Sequence, residues 1–136
     1  MLDQLIFNIL VANTDAHSKN YSILFPISAE PRLAPLYDVS TVLPWEHVNQ
    51  YFAQNLAGKR RKPEAMAARH WDTIARDMGY RPTDLRDRVQ ELVDAIIVKS
   101  PAVAADVVKL PGVTPGYVGQ AVELIEANAL RIAGRL

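Results

Sequence analysis

Leu85, Val89, Leu92, Val93, Ile96 and Ile97 recur three and four residues apart. That spacing stacks side chains along one side of a helix. A stripe this wide must be buried against other elements. It therefore dictates a helix-on-helix core for the second half of the chain and predicts a helix over 83–99. The punctuation around it agrees. Pro63 suits a first helical position and Gly79 the residue past the end, and Met66, Trp71, Ile74 and Met78 lie along the helix between them. Ser100-Pro101 and Thr114-Pro115 each read as an N-cap followed by proline in the first turn. They predict a short helix over 102–109 and a final helix over 115–135.

The front of the chain is organised differently. Leu2, Leu5, Ile6, Ile9 and Leu10 mark one face of an opening helix that ends near Ala12. A polar stretch follows, Asn13 to Asn20. Tyr21 to Phe25 is aromatic and β-branched, and Pro26 bounds it; Arg32 to Pro35 reads as a returning strand. These two runs predict a hairpin. Pro35 and Pro44 break the next segment, Gln50 to Leu56 reads as a further short strand, and Gly58 to Pro63 as a basic turn. The expected fold is mainly α, one domain over 1–136, with a few short strands near the N-terminus.

Composition excludes several classes of function. Lys+Arg and Asp+Glu are equal at 15 each, which argues against a dedicated nucleic-acid binder. There is no cysteine, so disulfides, thiol nucleophiles and cysteine metal sites are out. The apolar run 2–12 contains Asp3, Gln4 and Asn8, lacks a basic leader, and is too short to span a bilayer. A cytoplasmic domain with no membrane contact is expected.

The chemistry concentrates in Asn13 to Asn20, together with Asp38. Asp15 and Asn20 have the D-x-x-x-x-N spacing of a phosphoryl-transfer loop. There an aspartate meets the substrate hydroxyl, and an asparagine five residues later holds magnesium. A second aspartate just after a hairpin supplies another magnesium ligand, and Asp38 stands at that place. Magnesium takes hard oxygen donors, which is why carboxylates and amides are the required types. The spacing alone also suits Asx residues that satisfy backbone groups in a turn.

The string Phe7-Asn8-Ile9-Leu10-Val11-Ala12-Asn13-Thr14-Asp15-Ala16-His17-Ser18-Lys19-Asn20 resembles the catalytic loop of HipA-like serine/threonine kinases, an apolar helix followed by N-x-D-x-H-x-K/R-N. Leu33-Ala34-Pro35-Leu36-Tyr37-Asp38-Val39 resembles that family's L-x-P-x-Y-D metal motif. The resemblance implies a protein-kinase-like C-lobe. It implies Asp15 as catalytic base, Asn20 and Asp38 as magnesium ligands, His17 and Lys19 near the ATP phosphates, and Asn13 as a brace of the loop. It also implies a protein substrate and a DNA-binding antitoxin partner, with no direct contact to nucleic acid.

A kinase also needs a glycine-rich loop and a lysine–glutamate pair before the catalytic loop. In this sequence the first glycine is Gly58, and no lysine precedes Asp15. The ATP-gripping lobe is therefore expected on other sequence, a separate chain being one source, and this chain alone is expected to be inactive. Leu2, Leu5 and Ile6 are expected to form an exposed apolar edge where that lobe is missing. Two other readings compete. One is a non-catalytic partner-binding module or kinase remnant. The other is a metal-dependent phosphohydrolase built on Asp15-x-His17 and Asp38, for which only His47 and His70 remain as further histidine ligands. Lys59 to Lys62 read as a solvated turn, with contact to nucleic acid or to an acidic partner as the alternative, Tyr37 as packing, Trp71 as core, and Trp45 as a partly exposed loop residue that is expected to pack.

Overall fold

In the computed structural model, which describes residues 1–136, four helices carry the core. They are α1 (Leu2–Leu10), α2 (Ala68–Asp77), α3 (Pro82–Val107) and α4 (Pro115–Ala133). The long stripe of α3 lies at the centre, packed against α1, α2 and α4. Leu85, Val89 and Val93 from α3 meet Trp71 and Ile74 from α2, Ile6, Ile9 and Leu10 from α1, and Ala129 and Ile132 from α4. Phe52, Leu56 and Met66 complete the core from outside the helices. The chain is thus mainly helical, with one short antiparallel hairpin near the front. In the hairpin β1 (Ile23–Leu24) pairs with β2 (Arg32–Leu33), Ile23 opposite Leu33 and Leu24 opposite Arg32. No helix is long and apolar enough to cross a membrane.

Four details depart from the sequence expectation, and each has a physical reason. The helix expected from Pro63 begins at Ala68, and Pro63–Ala65 form a single 3-10 turn. The carbonyls of Pro63 and Glu64 would have to accept the first helical bonds. The Pro63 carbonyl accepts the Met66 N–H of the 3-10 turn, and both carbonyls accept from Arg131 or Arg135 of the α4 end, at 2.7 to 3.1 Å.

The two helices expected on either side of Ser100-Pro101 are one continuous helix with the proline inside it. Pro101 has no N–H to give the preceding turn. Packing of α3 along α4 holds the helix through that gap, and the Ser100 hydroxyl is engaged by Glu126 of α4.

Gln50 to Leu56 forms no strand, only a Leu56–Lys59 bridge around a tight turn at Ala57 and Gly58, both at positive φ. Arg60 and Arg61 hold that turn by donating to the carbonyls of Phe52, Leu56 and Ala57.

The expected exposed edge at Leu2, Leu5 and Ile6 is absent. Ile6 is fully buried, and Leu2 and Leu5 pack against the core. The hairpin exposes a run of apolar side chains, Ile23, Leu24, Phe25 and Ile27, and others stand singly at Met1, Val98, Val103, Leu110 and Leu130.

Candidate functional site

The polar loop is launched by the way α1 ends. Ala12 adopts φ 54, a left-handed conformation that costs an alanine on the order of 1 kcal/mol. It lets the Ala12 and Asn13 N–H groups turn back onto the carbonyls of Ile9 and Asn8, at 3.2 and 2.8 Å. This is the Schellman closure usually given to glycine. Its effect is to fold Asn13 back under the helix, where it is 1% exposed.

From there Asn13 ties three segments together. Its Nδ2 donates to Asn8 Oδ1 at 3.0 Å and to the Asp38 carbonyl at 3.3 Å. Its Oδ1 accepts from the Ser40 hydroxyl at 3.4 Å. The helix, the loop and the Asp38 segment are therefore fixed relative to one another by one buried amide.

Asn20 closes a 3-10 turn, Ser18–Asn20, and is itself buried. Its Oδ1 accepts the His17 backbone N–H at 3.0 Å, and its Nδ2 donates to Asp38 Oδ2 at 2.7 Å. Asp38 sits at φ 54, where aspartate and asparagine are tolerated better than most residues. Tyr37 holds the approach. Its hydroxyl donates to the Lys19 carbonyl at 2.6 Å and lies 2.7 Å from Ser22 Oγ. Tyr37 was expected to pack; it is instead a polar brace between the loop and the hairpin.

Asp15 stands apart from that pair. Its side chain is exposed and makes no hydrogen bond or ion pair within the chain. It lines a neighbouring cleft with Thr14, Ser40, Thr41, Trp45 and Arg60. Lys19 is exposed and has no carboxylate partner, and His17 is half-buried. The structure thus joins Asn20 to Asp38 directly and leaves Asp15 on an adjoining wall of the same loop.

The donor set suits a hard cation. Asp38 presents a carboxylate, and the amide oxygen of Asn20 has a second lone pair beyond the one taken by His17. Magnesium is commonly held by one or two such protein oxygens, with water and substrate phosphate filling the remaining positions. A two-metal hydrolase centre needs a larger cluster. No three His, Asp or Glu side chains lie close enough together to hold a metal ion by themselves. His70 lies away from the loop on α2, buried. Burial first, then the charges of Arg61, Arg69 and Lys59, push its imidazole below the ordinary value.

Two residues that sequence reasoning missed anchor the loop from behind. Asn128 on α4 is buried and donates to the carbonyls of Leu10 and Ile9, at 2.7 and 3.4 Å, at the end of α1. Arg131 donates to Asn128 Oδ1 at 2.6 Å. The contacts that tie them to the loop and to the Pro63 turn end on distant main-chain oxygens, so no local pattern signals those roles.

The sequence matches the family model described as HipA-like C-terminal domain over residues 1–100. It is 38% identical over 95 residues to a Sinorhizobium fredii protein named "Putative kinase Y4mE", covering 70% of this chain and 22% of the relative. A second protein of that organism, "Putative kinase Y4dM", is 32% identical over 72 residues, covering 53% of this chain and 17% of the relative. The fold is similar to that of a chain in the Shewanella oneidensis MR-1 toxin–antitoxin complex of HipA, HipB and operator DNA. The TM-score is 0.79 at 24% identity, covering 98% of this chain and 31% of that one. This chain therefore spans 22% or less of the length of these two curated relatives. The structural likeness takes in α4, which lies beyond the family-model match.

Proposed function

The chain belongs to the HipA-like C-terminal domain family, and from that premise we propose that it is the catalytic-loop portion of an ATP- and magnesium-dependent protein serine/threonine kinase. The observation that carries this reading is the 2.7 Å contact between Asn20 and Asp38, five residues past Asp15 on the same loop. Asp38 and Asn20 would hold magnesium. Magnesium held there would supply neutralisation of the ATP phosphate charge during γ-phosphoryl transfer. Asp15 orients the acceptor hydroxyl of a serine or threonine and takes its proton as the new O–P bond forms and the bond from the γ-phosphorus to the departing oxygen of ADP breaks. Lys19, unpaired and beside Asn20, offsets charge on the phosphates, and His17 borders the same place.

The reading includes a further lobe that completes the grip on the nucleotide, while Asn20 and Asp38 hold its magnesium–phosphate end. No glycine-rich phosphate loop precedes Asp15, so turnover requires a lobe supplied by other sequence. The names of the kinase relatives support the transferase activity. The HipA–HipB–DNA complex of the structural neighbour supports a DNA-binding antitoxin as a second partner and a cytoplasmic setting.

Calorimetric titration of the chain with ATP and magnesium, beside Asp38→Asn, tests the reading. Asparagine tolerates the left-handed backbone at this position, so the variant alters the charge without adding strain. Magnesium-dependent nucleotide binding that is lost in Asp38→Asn is the expected result. Binding unchanged by the substitution would remove Asp38 from the metal site and defeat the proposal.

A further inference from the structure

The cleft beside Asp15 has a chemistry of its own. It has a volume of about 390 Å³, within the range of ligand-binding sites, and neither Asn20 nor Asp38 lines it. Its walls offer the hydroxyls of Ser40 and Thr41 and the half-exposed rings of Trp45 and Tyr51. Only two charged groups line it, Asp15 and Arg60, and they are not paired with each other or with any other charge.

Arg60 is held in place without being neutralised. Its Nε donates to the Phe52 carbonyl at 2.8 Å, and one Nη donates to the Tyr51 carbonyl at 3.4 Å. A guanidinium has five N–H donors, so three remain for a ligand in a fork already fixed in direction. The surroundings reinforce the positive charge. Lys62 lies 5.4 Å from the centre of the Tyr51 ring, and its carboxylate partner Glu64 is distant at 3.9 Å. In a chain of zero net charge, Arg60 is the one positive group that lines the cleft with the loop aspartate.

We propose that this cleft receives the acceptor segment of the protein substrate, and that the segment carries an acidic side chain within a residue or two of the phosphorylated hydroxyl, gripped by Arg60. The inference rests on the assignment of Asp15 to the acceptor hydroxyl. Adjacent residues of an extended peptide are about 3.3 Å apart. A hydroxyl at Asp15 therefore leaves a neighbouring side chain within the same small cleft. A carboxylate there meets free guanidinium donors in charge-assisted hydrogen bonds. A lysine or arginine in that place meets like charge.

The test is a set of serine hexapeptides differing at one position beside the serine: aspartate, asparagine or lysine. Binding is read from the indole N–H resonance of Trp45 by NMR, with the buried Trp71 as internal reference. The aspartate peptide is expected to bind at least about tenfold more tightly than the asparagine peptide, the lysine peptide most weakly, and added salt to shrink the difference. Arg60→Gln should erase the preference, and Arg60→Lys should keep much of it.

Equal binding of all three peptides, or no binding of any, overturns the proposal. So does a preference that survives Arg60→Gln. Equal loss in both variants, with shifted amide signals at Phe52, would assign Arg60 to bracing the loop and overturn it as well. An oligonucleotide that shifts Trp45 where the acidic peptide does not would also overturn it.

The ATP titration with Asp38→Asn separates the two claims. Asp38-dependent nucleotide binding without acidic preference leaves the kinase reading standing and removes this one. Acidic preference without any nucleotide binding breaks the kinase reading, and with it the acceptor role proposed for the cleft.

Discussion

The helical region from Ala68 to Ala133 and the irregular region from Asn13 to Pro63 are built by different forces. The helices supply most of the buried apolar side chains. From Tyr21 to Tyr51 not one residue is buried, yet this stretch carries Asp38 and part of the cleft beside Asp15. It is held by specific polar contacts instead: Asn13 to Asn8, Ser40 and Asp38, Tyr37 to Lys19 and Ser22, Gln50 to Trp45. A net protein hydrogen bond contributes only about 1 kcal/mol, whereas full burial of a large apolar side chain contributes about 1.5–3 kcal/mol. Stability should therefore reside in the helices and chemistry in the loops, with little overlap between the residues that matter to each.

Trp71→Ala is the strongest way to break that division. Trp71 is fully buried between α2 and its neighbours. Such a truncation costs about 3–5 kcal/mol, a large part of the roughly 5–15 kcal/mol that holds a domain folded. Thermal unfolding should show a much lower Tm and simultaneous loss of loop and helix signals. A loop region that kept its amide dispersion while the helices melted would show that the two regions fold independently.

Asn128→Ala should be the next largest effect, because this residue joins the two regions. Removing its amide leaves the Leu10 carbonyl without its buried partner, while Arg131 loses one of three acceptors and keeps the carbonyls of Pro63 and Glu64. The cost of such an orphaned group is about 1–3 kcal/mol. Hydrogen exchange should quicken at Ala12 and Asn13, more than at the α2–α3 contact. Uniform acceleration everywhere would make Asn128 an ordinary core residue and not the anchor of the loop.

The fold was readable where local pattern and tertiary demand agree. The stripe of α3, the proline start of α4, the hairpin, and the end marked by Gly79, which has φ 78, are such places. It was misread where distant groups override local signals. Ser100-Pro101 has every mark of a helix start, but the face it shares with α4 keeps one helix running through it. Pro63 has the mark of a first turn, but two arginines 68 and 71 residues from their acceptors take the carbonyls that turn would need. In the candidate site, the types and spacing of Asp15, Asn20 and Asp38 were legible. The bracing roles of Tyr37, Arg60 and Asn128 were not, because each bonds to a main-chain oxygen, and main-chain oxygens leave no signature in a sequence.

His70 lies at the seam between the regions, on α2 but against the basic turn, and gives a smaller, pH-dependent effect. Its folded value is depressed by burial and by Arg61, Arg69 and Lys59. The unfolded chain therefore binds this proton more readily than the folded one. Stability from this group is present above about pH 6.5. It falls as the pH drops below that value, and the loss levels off once the folded imidazole is also protonated. Urea midpoints for the wild type and His70→Gln at pH 7.5, 6.5 and 5.5 should diverge in slope, the wild type losing more on acidification. Parallel profiles would mean that the basic turn does not press its charge onto the helices.

The smallest effect on stability should come from the substitution with the largest expected effect on binding. Asp38→Asn removes one exposed negative charge and keeps a side chain that tolerates φ 54. It can still meet Asn20 amide to amide once one of the two amides turns its oxygen toward the other. An exposed substitution of this kind changes stability by about 0.5 kcal/mol or less, so Tm should be nearly unmoved while magnesium-dependent nucleotide binding disappears. That separation is the clearest statement of the division between the two regions. A Tm drop comparable to that of Asn128→Ala would show that the Asn20–Asp38 contact supports the fold. The loop would then be held together by the same residues that are proposed to do its chemistry.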